Sequence, residues 1–218
     1  MKICVFGAGA LGGYLCVQLA SSPLIKTLNV VARGDQFAAI QRQGLRVLDA
    51  QGASEQHTHV HQATDQPKNL GQHNLVIVTL KANAIASCAQ DINALIAPNG
   101  LVLFVNNGIP WWWDGSEALE AQAMGSFKIE EIGKALHPSR VLGSVAMSNS
   151  EVILPGVIRH NSMNTWFSGE TSGEISHRLG SVWSCLPVWV WGQKRRPTLN
   201  LKSGKNCCSI SPITPWRA

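Results

Sequence analysis

Acidic residues are absent after Glu174, while Lys194, Arg195, Arg196, Lys202, Lys205 and Arg217 all lie beyond Arg178. Setting those six cations aside takes the formal net charge from +5 to −1. The basicity therefore belongs to the tail and does not mark a nucleic-acid-binding face. No basic stretch followed by an apolar run opens the chain, and no uncharged apolar run approaches the roughly 20 residues of a spanning helix. The expectation is a cytoplasmic protein with no membrane partner. C-x-x-C pairing is also missing. The six cysteines (Cys4, Cys16, Cys88, Cys185, Cys207, Cys208) form no regular framework, and three sit in apolar stretches, so they read as reduced thiols packed like small hydrophobes.

What is present is an alternation of strand and helix. A short apolar strand, Ile3 to Phe6, runs into Gly7-Ala8-Gly9-Ala10-Leu11-Gly12-Gly13 and a helix from about Ala10 to Ala20. A second strand, Leu28 to Ala32, ends at Arg33, completing a β-α-β unit. Helical spacing recurs at Phe37 to Gln43, and alternating segments follow at Leu45 to Leu48 and His57 to His61. The apolar strand Leu75 to Leu80 suits a parallel sheet covered on both faces. A helix from Ala82 to Ile96 is expected to stop at Pro98-Asn99-Gly100, before a strand at Leu101 to Val105. Phe127 to Leu136 reads as helix, and Val141 to Phe167 as β segments broken at Pro155-Gly156. The fold class is α/β, a Rossmann-type doubly wound sheet. Past Arg178 the periodicity disappears, although four of the eight tryptophans lie there. Residues 1–170 read as one dinucleotide-binding domain and 171–218 as an irregular tail.

A glycine pattern of this type is informative when it follows a strand and opens a helix, as Gly7, Gly9 and Gly12 do. The first glycine makes the tight turn, the second lets a pyrophosphate reach the backbone, and the third lets helix pack on strand; unpaired N–H groups at the helix start bind phosphate. About twenty residues on, where an acidic side chain would hold the ribose 2′-hydroxyl of NAD, stands Arg33. A guanidinium suits the 2′-phosphate of NADP, which it can grip with two parallel hydrogen bonds, so NADPH is the expected cofactor. Lys81 and Asn107 close successive strands on the carboxyl edge, where open α/β sheets place ligands.

In series, Met1-Lys2-Ile3 before G-A-G-A-L-G-G, V-V-A-R at Val30 to Arg33, V-T-L-K-A at Val78 to Ala82, N-N-G at Asn106 to Gly108 and P-G-V-I-R-H at Pro155 to His160 resemble the ketopantoate reductase (2-dehydropantoate 2-reductase) family. The resemblance runs from Met1 to about Arg178. It implies NADPH-dependent reduction of 2-dehydropantoate to pantoate, on the way to pantothenate and coenzyme A. Gly7, Ala8, Gly9, Ala10, Leu11 and Gly12 would hold the pyrophosphate, Arg33 the 2′-phosphate, Lys81 the adenosine side, and Asn107 the nicotinamide ribose and the small 2-keto acid substrate. The alternatives are a reductase of another 2-keto acid and an inactive NADP-binding remnant.

The family's second domain is all-helical and is entered through a segment of the type E-I-W-K-K-L-x-x-N, whose lysine is the general acid. That segment is not readable here, which leaves the catalytic acid unassigned. Codon degeneracy supplies a reason. Read from the third base of each codon, Leu201 to Ile210 can spell E-I-W-K-K-L-L-F-N, and the junctions Asn206-Cys207 and Cys207-Cys208 are forced to leucine. We read a frameshift between roughly Thr171 and Cys185, with the residues after it out of frame; this accounts for Lys194-Arg195-Arg196 without a nucleic-acid partner. Two further features remain. His57, His59 and His61 alternate, but no acidic or cysteine ligand is spaced to complete a zinc site, so they read as the polar face of an edge strand with no metal. Trp111-Trp112-Trp113 could line a substrate mouth, form a dimer surface or pack against the helical domain. Resequencing the DNA from the codon of Gly169 to beyond that of Ala218 is expected to show one base gained or lost; an unbroken frame overturns this reading.

Overall fold

The computed structural model describes residues 1–107, 110–112, 128–172 and 176–185. Gly108, Trp113 and everything after Cys185, including the basic run and the Cys207-Cys208 doublet, lie outside the described residues. In chain order the elements are β1 (Lys2–Phe6), α1 (Ala10–Ala20), β2 (Thr27–Val31), α2 (Gly34–Gln43), β3 (Leu45–Leu48), β4 (Glu55–Thr58), β5 (Gln62–Thr64), β6 (His73–Val78), α3 (Ala82–Ile85), α4 (Ala89–Ala94), β7 (Ile96–Val105), α5 (Ile129–Ala135), β8 (Val141–Leu154), β9 (Val157–Glu170) and α6 (His177–Cys185). The strands form one mixed sheet in the order β4-β3-β9-β8-β7-β6-β1-β2-β5. The block from β5 to β8 is parallel throughout. The β8–β9 hairpin and the β3–β4 pair are antiparallel, and β3 runs parallel to β9.

Alternation along the central strands builds two cores. Ile3 and Val5 of β1, Leu75 and Ile77 of β6, and Leu103 and Val105 of β7 face one side with α1, Ile40 of α2, and Leu179 and Val182 of α6. Cys4, Phe6, Val76, Val78, Val102 and Phe104 face the other, against Ile92 of α4 and Ile132 of α5. Because both faces are covered, these strands read as continuous apolar runs. At roughly 1.5–3 kcal/mol per fully buried large apolar side chain, these two layers are the main favourable term in folding.

Helix α1 has no solvent side. Eight consecutive residues, Gly12 through Leu19, are buried, whereas an amphipathic helix buries a stripe. The sheet wraps round it. Tyr14 stacks on His160 of β9 with ring centroids 4.3 Å apart, and Gln18 bonds Gln56 of β4 at 2.8 Å. A Cβ on Gly13 would lie 2.6 Å from Ile158 Cδ1.

Three expectations are corrected. The helix after Lys81 is broken by a 3-10 turn at Ala86–Cys88 and ends at Ala94, and β7 begins at Ile96, before Pro98. The strand passes through Pro98 and Gly100 because the register slips opposite His73 and Leu75, and the Arg140 side chain caps the carbonyls of Ala97, Pro98 and Gly100. Proline at such an irregularity costs no ladder hydrogen bond. His57, His59 and His61 do not all share a face: β4 ends at Thr58, the His57 and His59 rings meet edge to face with centroids 4.8 Å apart and His57 Nε2 lies 2.7 Å from Gln43 O, but His61 is taken up by β2, its Nδ1 accepting the Leu28 N–H at 3.1 Å. Finally, Trp111 and Trp112 pack on Phe104, with centroids 6.2 and 5.7 Å away, inside the second core.

Beyond Arg178 the chain stays helical to Cys185. The helix is tied down by Glu170, a buried carboxylate that accepts from Arg178 Nε at 2.8 Å, from Arg178 Nη2 and from Ser176 Oγ. Burial pushes the Glu170 pKa up, but the bonds from Arg178 and Ser176 and the guanidinium charge outweigh it and hold the group below the usual carboxylate range. Among the described residues no helix is long and apolar enough to cross a membrane. Cys4, Cys16 and Cys88 are buried free thiols, and burial pushes Cys4 up to about 12.

His73, fully buried with Nε2 3.0 Å from Asn29 Nδ2, has its pKa pushed down to about 4 by burial and by the Lys2 charge. The unfolded chain takes up this proton near pH 6.5 and the folded chain does not, so the stability His73 confers is complete above about 6.5 and is lost as pH falls toward about 4. In urea titrations His73→Gln is expected to shrink the fall in midpoint over that window; an unchanged pH slope overturns the assignment.

Candidate functional site

The parallel block sets β2, β1, β6 and β7 side by side with their carboxyl ends on one edge. From β1 the chain goes first to β2 on one side and later to β6 on the other, which opens a crevice above β1. The glycine loop, Arg33, Lys81 and Asn107 each follow one of these four strands. The fold thus brings the glycine loop, Arg33, Lys81 and Asn107 to one edge.

Within the loop the three glycines differ. Gly7 has φ +104°, a conformation that excludes most side chains, and its N–H donates to Val31 O at 2.9 Å. Its carbonyl is held by the Thr79 hydroxyl. A Cβ on Gly12 would collide with that same carbonyl oxygen, so only glycine lets α1 start this close to β1. Gly9 is exposed, and a Cβ there would meet no protein atom within 4 Å. No side chain caps α1, whose first turn carries no acidic residue. Unpaired N–H groups and the positive end of the helix dipole therefore face an open space that an anion can enter.

Arg33 is the exposed N-cap residue of α2, and its Nη2 donates to Cys88 Sγ at 3.3 Å. A thiol is a weak neutral acceptor, and neither Arg33 nor Lys81 forms a salt bridge with a carboxylate among the described residues. Both cations remain available to a phosphate. Lys81 is the exposed N-cap residue of α3. Asn107 does more than project from a strand end. Its Nδ2 donates to Ala146 O at 2.9 Å and its Oδ1 accepts the Ala146 N–H at 3.2 Å, so the side-chain amide extends the β7–β8 ladder two steps past Val105 and Ser144. One N–H and one lone pair are left over for a ligand.

Sequence reasoning missed three groups here. Thr79 was legible only as part of V-T-L-K, because its contact with Gly7 depends on β6 lying beside β1. Cys88 reaches Arg33 from the 3-10 turn between α3 and α4. Gln36, half-buried on α2, bonds both Ala8 and Gly156; no local pattern marks it.

Residues 3–173 match the family described as Ketopantoate reductase PanE/ApbA. The chain is 36% identical over 187 residues to a 2-dehydropantoate 2-reductase of Mesorhizobium japonicum, an alignment covering 82% of this chain and 55% of that protein. A crystal structure of a candidate ketopantoate reductase from Ralstonia solanacearum MolK2 superposes with a TM-score of 0.72 at 34% identity, covering 84% of this chain and 56% of the other. A ternary structure of D-mandelate dehydrogenase with NADH and anilino(oxo)acetate shares the fold, with TM-score 0.63, 20% identity, and coverage of 85% and 54%. The chain spans about half the length of the relatives it matches.

The second and third glycines give opposite expectations. Gly9→Ala is expected to leave thermal stability unchanged while weakening dinucleotide binding, because no described residue comes within 4 Å of a Cβ there. Gly12→Ala is expected to cost stability by about 3 kcal/mol, the scale of a forced overpacking. Calorimetric melts beside nucleotide titrations check both, and a destabilised Gly9→Ala would contradict the open-loop geometry.

Proposed function

The chain belongs to the ketopantoate reductase family, and we propose that residues 1–170 bind NADPH for the reduction of 2-dehydropantoate to pantoate, in the cytoplasm and toward pantothenate and coenzyme A. The observation that carries the cofactor choice is Arg33. It stands where a 2′-hydroxyl-binding acid would otherwise be, among the described residues its side chain bonds a neutral sulfur and no carboxylate, and it lies on the same edge as an uncapped glycine loop. A guanidinium without a counter-ion is stabilised by a dianionic 2′-phosphate and gains little from a ribose hydroxyl. When bound, NADPH supplies the hydride.

The chain's own residues bind and orient. Gly7 to Gly12 present backbone N–H groups to the pyrophosphate, Arg33 takes the 2′-phosphate and Lys81 the adenosine side. Asn107, clamped on Ala146, offers its spare donor and acceptor to the nicotinamide ribose and the substrate. The general acid is assigned to no residue of this chain.

We also propose that the reading frame changes near the end of α6. The family match stops at residue 173, yet Leu179 and Val182 are buried in the first core and Arg178 pairs with Glu170. Those contacts support an in-frame sequence up to about Val182, within the interval read from the codons. Residues beyond it then carry none of the substrate domain, and this polypeptide binds NADPH without turning over substrate.

Fluorescence titration of the 218-residue chain is expected to show tighter binding of NADPH than of NADH. Arg33→Ala should weaken NADPH about ten- to hundredfold, the equivalent of roughly 1.5–3 kcal/mol for hydrogen bonds to a charged group, and leave NADH nearly unchanged. Equal affinity for the two nucleotides overturns the cofactor assignment. Turnover of ketopantoate by this polypeptide overturns the frame reading.

A further inference from the structure

We propose that Gln36 is a positioning residue for the pyrophosphate loop, aiming the Gly9 N–H by holding the carbonyl of Ala8. The inference rests on the dinucleotide-binding reading above and concerns a residue outside the glycine pattern.

The Gln36 amide is used at both ends. Its Nε2 donates to Ala8 O at 2.7 Å, and its Oε1 accepts the Gly156 N–H at 3.0 Å. One donor and one acceptor admit a single orientation of the flat amide, since the flipped group would set oxygen against oxygen and N–H against N–H. The far end of the bridge is itself fixed. Gly156 lies in the β8–β9 turn at φ +79°, its carbonyl accepts the Arg46 N–H at 2.9 Å, and Gln43, two helical turns beyond Gln36, donates to Pro155 O at 3.4 Å. Gln36 thus ties the loop to a hairpin anchored on α2 and β3.

At the near end, Ala8 is buried and Gly9 is exposed. No peptide bond among the described residues is cis. In a planar trans peptide the C=O and the following N–H point in opposite directions. With the Ala8 carbonyl turned toward α2 and bonded there, the Gly9 N–H is turned away from α2. Gly9 brings no side chain of its own to that plane, and among the described residues the hydrogen bond to the Ala8 carbonyl comes from Gln36. The same helix carries Arg33 at its N-cap, so α2 holds the 2′-phosphate ligand and the strut of the pyrophosphate loop three residues apart.

The test uses the full chain and two ligands, NADPH and adenosine 2′-phosphate, which reaches Arg33 but has no pyrophosphate. Gln36→Met, of similar shape and without polar atoms able to make this bridge, is expected to weaken NADPH about tenfold and leave adenosine 2′-phosphate unchanged. Should Gln36→Met not fold, Gln36→Glu keeps the acceptor for Gly156 and loses the donor to Ala8. Its added charge would act on both ligands, so a loss confined to NADPH still reports the peptide plane. Equal losses for the two ligands, or no loss for NADPH, overturn the proposal while the cofactor assignment stands. Failure of the unmutated chain to bind NADPH overturns both.

Discussion

Everything at the carboxyl edge depends on how closely α1 approaches the strands around it. Gly12 sits against the Gly7 carbonyl and Gly13 against Ile158, so at neither position is there room for a Cβ. That closeness has two consequences. It buries the helix on every side, which makes α1 the centre of the first core and not a cover on it. It also brings the first turn of the helix directly over the end of β1, where uncapped N–H groups meet an open space. The same glycines therefore shape both the packing and the open space above β1, and of the three in the loop only Gly9 has no packing role.

The parallel order of β2, β1, β6 and β7 does the remaining assembly. Residues 33, 81 and 107 are far apart in the chain, yet each follows a strand whose neighbours are fixed by backbone hydrogen bonds, so all three emerge on one edge. Charge then distinguishes them. Arg33 and Lys81, both exposed, have no carboxylate partner among the described residues, whereas the buried carboxylate Glu170 is satisfied by Arg178 and Ser176. Both cations stand on the carboxyl edge, while the Glu170–Arg178 pair anchors α6.

The long β8–β9 hairpin is the part of the architecture that departs most from a plain doubly wound sheet. Its strands run past the parallel block and carry β3 and β4 onto the far side of α1. This explains why the Pro155-Gly156 turn, remote in sequence from the glycine loop, is joined to it through Gln36.

Much of the fold was readable because it rests on local rules. Period-two and continuous apolar runs marked β1, β2, β6 and β8–β9, and a glycine run directly after a strand marked the loop and the start of α1. Position after a strand end singled out Arg33, Lys81 and Asn107. Reading failed where a neighbour overrode the local signal. Pro98-Asn99-Gly100 looks like a helix stop but lies within β7, because a register slip against β6 and the Arg140 side chain absorb it. Trp111 and Trp112 look like a surface feature until Phe104 is placed beside them. By itself the sequence determined the elements, the phosphate loop and the residues at strand ends, since these follow from side-chain period and backbone conformational freedom. Only the tertiary structure decided that Asn107 clasps Ala146, that Thr79 holds Gly7 and that Gln36 bridges Ala8 to Gly156, because strand order and crossing chains set those contacts and no local pattern encodes them.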